Sequence, residues 1–119
     1  MATVLLVDDD IDIRLSMSVV LEGQGYETLV AENGVEAIKQ LEGHTVDCVL
    51  LDIFMPEKDG YETIGEIRRH YPQTKIIAMS GYNERSFSPL DYAQSLGADL
   101  ALTKPFSADE LKVSLKKLL

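Results

Sequence analysis

Several side chains able to do chemistry stand where short apolar runs end. Asp8, Asp9 and Asp10 follow Val4-Leu5-Leu6-Val7, Asp52 follows a run closing at Leu51, Ser80 follows Met79, and Lys104 follows Thr103. If Asp8, Asp9 and Asp52 share one pocket, their charges repel, and either one carboxyl holds a proton or a cation enters. Donors that are all oxygen and leave room for water favour Mg²⁺ (or Mn²⁺) over zinc. A carboxylate is also a competent nucleophile toward phosphorus. A divalent ion and a lysine ammonium can neutralise the charge spread over the transferred oxygens, and the Ser80 hydroxyl can donate to one of them. An acidic pair, a lone aspartate, a hydroxyl and a lysine are together what phosphorylation of Asp52 requires.

Whether these groups meet depends on the elements that carry them. Val4–Val7, Tyr26–Val30, Val46–Leu51, Lys75–Met79 and Asp99–Thr103 read as strands, with the second of mixed character that suits a sheet edge. Between them run helical patterns. Residues 10–22 place Ile13, Met17, Val20 and Leu21 on one face, and Gly23 and Gly25 end that helix. Asn33 with Glu36 opens a second helix, with Ala37, Ile38 and Leu41 inward, and a third over 61–70 carries Ile64 and Ile67. Ser88-Pro89 caps a short helix ending at Gly97. Ser107 and Glu110 form a capping box ahead of Leu111, Leu115, Leu118 and Leu119. Met55-Pro56 and Asp59-Gly60 are turn chemistry, and residues 81–87 form an unusually long irregular loop. Five βα units in series predict a parallel sheet covered by helices on both faces, with ligands beyond the carboxyl ends of the strands.

Composition narrows the classes. At 119 residues the chain makes one domain, 1–119, and 11 Lys+Arg against 20 Asp+Glu leave a net charge of −9. That balance argues against direct nucleic-acid binding and against anionic membrane surfaces, which need a basic face. No apolar run reaches the roughly 18 residues of a membrane span, and no signal peptide is expected, so the expected location is cytoplasmic. The single cysteine, Cys48, excludes an internal disulfide and reads as an inert buried thiol.

Val7-Asp8-Asp9, Leu51-Asp52 with Met55-Pro56 and Gly60, Met79-Ser80, Gly97-Ala98 and Lys104-Pro105-Phe106 together resemble the receiver domain of bacterial response regulators, in order and across essentially the whole chain. The resemblance implies an α/β, flavodoxin-like three-layer sandwich, a five-stranded parallel sheet in the order 2-1-3-4-5 with five helices. It implies a signalling switch rather than an enzyme, in which Asp52 accepts a phosphoryl group from a histidine kinase or phosphotransfer protein. Asp9 would then bind Mg²⁺ directly and Asp8 mainly through water, with the Phe54 backbone carbonyl and Asp52 as further ligands. Ser80 and Lys104 would contact the phosphoryl oxygens, and Lys104–Pro105 would be cis. The output would be an altered face of the fourth helix, fifth strand and fifth helix, read by a downstream protein or effector domain.

Two departures stand out. Family members often carry Tyr or Phe three residues before the lysine, coupled to the hydroxyl residue; here that position is Ala101. The 81–87 segment is expected to pack onto the fold, and the alternative is that Tyr82 or Phe87 fills the space above Ala101. In this family the side chains two residues after the aspartate and two after the hydroxyl residue influence water attack on the phosphoryl group. Here they are Phe54 and Tyr82, bulky and poor at orienting water, so the resemblance implies slow self-dephosphorylation.

Two rivals belong to other classes. A Mg²⁺-dependent phosphohydrolase needs a second acid near its nucleophile, where Asp52-Ile53-Phe54 supplies an apolar residue; a binding module of this fold would no longer take phosphate. The remaining candidates have plain readings. Asp10 starts a helix, Arg68-Arg69 is a solvated face, His44 and His70 lie at the surface, and Tyr61, Tyr71 and Tyr92 are packing residues.

Overall fold

The elements form where apolar patterning and caps predict them, with small shifts at their ends. The computed structural model describes residues 1–54, 60–81 and 88–119. Within these lie β1 (Thr3–Val7), α1 (Ile11–Gly23), β2 (Glu27–Ala31), α2 (Gly34–Gly43), β3 (Cys48–Asp52), α3 (Gly60–His70), β4 (Lys75–Ser80), α4 (Pro89–Leu96), β5 (Leu100–Thr103) and α5 (Ala108–Leu118). The expected turns at Met55-Pro56 and Asp59, and the Tyr82 and Phe87 alternatives, lie outside the described residues.

All strand pairs are parallel, in the order β2-β1-β3-β4-β5, so β2 is an edge and β1 and β3 are neighbours. Alternation along each strand builds two cores. Leu5, Val7, Val49, Leu51, Ile76 and Ala78 pack with Ala37 and Leu41 of α2, Ile64 and Ile67 of α3, and Ala93 of α4. Val4, Leu6, Cys48, Leu50, Ile77 and Met79 pack with Leu21 of α1 and with Leu111 and Leu115 of α5. The result is a three-layer α/β sandwich with the flavodoxin-like strand order.

Helix starts follow their cap chemistry. Asp10 caps α1 by accepting the amides of Asp12 and Ile13, Asn33 accepts the Glu36 amide at 2.9 Å, and Ser88 caps α4 with Pro89 following. Ser107 and Glu110 close a capping box on α5. Gly97 sits at φ 127°, a conformation that suits glycine, and closes α4.

Three expectations need correction. β3 begins at Cys48 rather than Val46, because the chain bends at Asp47, whose carboxylate accepts the Thr3 amide at 2.8 Å. Val46 is buried ahead of that bend. β3 and β4 also run one residue further than expected, so that Asp52 and Ser80 are themselves in the sheet. Leu119, expected at helical spacing within α5, lies just past its end at the C-cap and is exposed.

Candidate phosphoacceptor and metal site

The sheet brings the acids to one rim. β1 and β3 are adjacent, with Val7 opposite Leu51, so Asp8 and Asp52 each follow directly on a paired position. The Asp8 amide continues the sheet by donating to the Ala31 carbonyl at 3.1 Å. Asp8, Asp9 and Asp52 each offer a carboxylate oxygen, and these oxygens all lie within 4.8 Å of one another. Asp8 is buried at 1% exposure and Asp52 at 9%, whereas Asp9 faces solvent.

Lys104 reaches this cluster from the end of β5. Its Nζ lies 2.8 Å from Asp8 Oδ2 and 3.1 Å from Asp52 Oδ2, so one ammonium bridges two strand ends. The Lys104 amide donates to the Ser80 carbonyl at 3.0 Å, which ties the lysine to the end of β4. Ser80 is buried, opposite Thr103 of β5 and one residue beyond Met79, which faces Asp52. The Lys104–Pro105 bond is cis, as expected.

Backbone groups fix the carboxylates. The Phe54 amide donates to Asp52 Oδ1 at 3.0 Å, and the Asp10 amide donates to Asp8 Oδ1 at 3.0 Å. Burial raises the Asp52 carboxyl above the ordinary aspartate value; the Phe54 amide and the Lys104 charge pull the other way, and the Asp8 charge adds to the rise. For Lys104, burial is the largest single influence and favours the neutral amine. It is outweighed by the hydrogen bond to Asp8 and the charges of Asp52 and Asp8, so the ammonium is held more firmly than usual.

With all three acids ionised and Lys104 charged, the cluster carries −2. That charge, the all-oxygen donor set and the open side at Asp9 fit a hydrated Mg²⁺ or Mn²⁺.

Two features were not anticipated. Arg14, one turn into α1, donates to the Asp8 carbonyl at 2.7 Å and holds the β1–α1 junction; its spacing from Asp8 is the only trace of this in the sequence. Tyr61 makes edge contacts with Phe54 and Tyr92, although no spacing pattern links residues so far apart.

Other candidates resolve plainly. Arg68 is not a solvated side chain: its guanidinium donates to the carbonyls of Gly97, Pro72 and Thr74 and to the Asp99 carboxylate. Arg69 is exposed. His44 lies exposed at the end of α2 and His70 exposed at the end of α3. Cys48 is fully buried, and burial, with the Asp99 and Asp47 charges behind it, pushes its thiol up to about 12. Among the described residues, no helix is long and apolar enough to cross a membrane.

Comparison with known proteins agrees with this geometry. The family model described as "Response regulator receiver domain" matches residues 4–116. The chain is 40% identical over 123 residues to the sensor kinase CckA of Brucella abortus, covering 99% of the chain but only 12% of that protein. It is 35% identical over 117 residues to the chemotaxis protein CheY of Bacillus subtilis, covering 98% of the chain and 96% of CheY. Among solved structures, the response regulator protein TrrA of Thermotoga maritima, crystallised in complex with Mg²⁺-BeF, superposes with a TM-score of 0.86 at 42% identity, over 100% of both chains.

Proposed function

Because the chain belongs to the response regulator receiver family of two-component signalling, we propose that residues 1–119 form one phosphoacceptor domain in which Asp52 is reversibly phosphorylated. The observation that carries this reading is Lys104 bridging Asp8 and Asp52 at the rim of the sheet, with Asp9 alongside.

Asp8, Asp9, Asp52 and the Phe54 carbonyl would hold Mg²⁺, which when bound neutralises charge on the phosphoryl oxygens. Asp9, the exposed member, suits direct ligation, and buried Asp8 suits contact through water. In the transfer, an Asp52 carboxylate oxygen attacks phosphorus, forming a P–O bond as the P–N bond of a donor phosphohistidine breaks. The departing imidazole takes up a proton. Lys104, already on Asp52, stays with the phosphoryl oxygens, and the Ser80 hydroxyl donates to another. Two residues after Asp52, where an Asp-x-Asp phosphohydrolase carries its second acid, stands the apolar Phe54; this favours a switch with slow self-hydrolysis over a phosphohydrolase.

Histidine kinases or phosphotransfer proteins are the proposed donors. Ile11, Leu15 and Val19 stand exposed at i, i+4 and i+8 on α1, next to the acidic junction, an apolar ridge suited to a partner helix. Phosphorylation would bring new negative charge and strong acceptors to the pocket, which would draw Ser80 inward. That movement would alter the α4–β5–α5 face read by the output partner.

The test is incubation with acetyl phosphate and Mg²⁺ followed by intact mass. One added phosphoryl group, absent in Asp52→Asn, is the expected result. A wild type that never gains mass while binding Mg²⁺ normally would leave a binding module of this fold, and multiple turnover of phosphoesters would make it a hydrolase.

A further inference from the structure

The family's usual aromatic residue on β5 is absent here: Ala101, paired with Ala78, has no ring to carry a change at the strand ends toward the helices. A chain of rings runs instead through α3. Phe54 stands two residues after Asp52 and donates its amide to Asp52 Oδ1. The Tyr61 ring, in the first turn of α3, meets Phe54 edge-on, with centroids 6.4 Å apart and planes at 78°. The same ring also meets Tyr92 of α4, at 4.8 Å and 75°. The Tyr61 hydroxyl donates to the carbonyl of Pro89, the first residue of α4, at 3.4 Å. One side chain thus touches both the residue that orients Asp52 and the start and middle of α4.

Resting on Asp52 as the phosphoacceptor, we propose that Tyr61 is a positioning residue, holding Phe54 in place beside Asp52 and making the state of the pocket and the placement of α4 depend on each other. Edge-to-face ring pairs favour particular separations and angles, so a shift of Phe54 as the pocket fills is felt at Tyr61 and passed to Tyr92. Such coupling is reciprocal: loosening α4 must weaken cation binding by the same factor as filling the pocket moves α4. Contacts of this kind correspond to about a three- to tenfold change in affinity.

The chain has no tryptophan, so Tyr92→Trp introduces a single indole against Tyr61. Its emission is followed while acetyl phosphate and Mg²⁺ are added, with intact mass recording phosphoryl uptake in the same samples. A step in emission accompanying uptake is expected in Tyr92→Trp and in Tyr92→Trp/Tyr61→Phe, which keeps the ring. The step is expected to vanish in Tyr92→Trp/Tyr61→Leu while uptake persists. Calorimetric titration with Mg²⁺ alone should show about three- to tenfold weaker binding for Tyr61→Leu and Tyr92→Ala, and values within about twofold of wild type for Tyr61→Phe.

A full emission step and unaltered Mg²⁺ binding in the Tyr61→Leu proteins, with uptake intact, would overturn the relay. Absence of uptake in every protein would instead remove the phosphoacceptor reading, leaving the Mg²⁺ titration to judge Tyr61. If circular dichroism shows that Tyr61→Leu does not fold, Tyr92→Ala decides: weakened Mg²⁺ binding supports the coupling, and unchanged binding refutes it.

Discussion

Replacing Asp52 with asparagine should stabilise the metal-free protein, because burial of this charge is not fully compensated. The attraction between Asp52 Oδ2 and Lys104 Nζ at 3.1 Å is about 5 kcal/mol at an effective dielectric constant near 20. Against it, carboxylate oxygens within 4.8 Å repel by at least about 3.5 kcal/mol for the Asp8 pair, with about half that from solvent-screened Asp9. The two sums nearly cancel, so desolvation decides the sign, in accord with the raised Asp52 carboxyl. Removing the charge should therefore gain about 1–2 kcal/mol, or about 4–8 °C in Tm for a domain of this size. The pH dependence follows from the direction of the shift. A carboxyl raised above 3.8 binds its proton more tightly in the folded state, so wild-type stability falls as pH rises from that value through the raised one. The advantage of Asp52→Asn should thus open above about pH 4, reach a plateau at neutral pH, and close when Mg²⁺ saturates the wild type. Thermal melts in EDTA and in excess Mg²⁺, from pH 3.5 to 8, measure it. An Asp52→Asn protein no more stable than wild type in EDTA at pH 7 would refute the charge balance.

Lys104→Met should lower metal-free stability by about 2–4 kcal/mol in urea at neutral pH, since it strands Asp8 and Asp52, and added Mg²⁺ should recover part of the loss. In Gly60→Ala, the new Cβ would collide with the Ile53 Cα, a backbone atom that cannot yield cheaply. A loss of about 3 kcal/mol or more is expected in chemical denaturation. The Cys48 thiol, pushed to about 12, should resist iodoacetamide at pH 8 in the folded protein and react after unfolding in urea, as intact mass will report.

Much of this molecule is legible from local patterns. The continuous apolar run of β1 reflects burial on both faces, and the Ser107–Glu110 box starts α5 at the position its chemistry demands. Asp8, Asp52, Ser80 and Lys104 could be located because each stands at or just past a strand end, and strand ends in a parallel sheet share one rim. What local pattern does not carry is contact between distant helices. Arg68 looks like one of two basic residues on a solvated face, yet its planar donors gather three carbonyls from two separate connections and one carboxylate. Tyr61 and Tyr92 lie on different helices, and nothing in their own neighbourhoods reveals that α3 and α4 bring their rings to 4.8 Å. The start of β3 was missed for a related reason, since the bend at Asp47 depends on the Thr3 amide from another strand.

The acidic cluster itself is a consequence of topology. From β1 the chain crosses to β2 on one side and then to β3 on the other, so the crossovers diverge between β1 and β3, where the rim stays open. Asp8 and Asp9 follow one of these strands and Asp52 ends the other, while Lys104 must reach across from β5, two strands beyond β3. A fold selected for stability alone gains nothing from three carboxylates there, because one lysine offsets only part of their mutual repulsion. The residual charge of −2 matches a divalent cation, and a phosphoryl group on Asp52, as proposed, would add negative charge that the cation and Lys104 could share. The destabilisation expected of the metal-free pocket and its proposed capacity for phosphorylation therefore share one origin: an excess of negative charge held in place by the sheet.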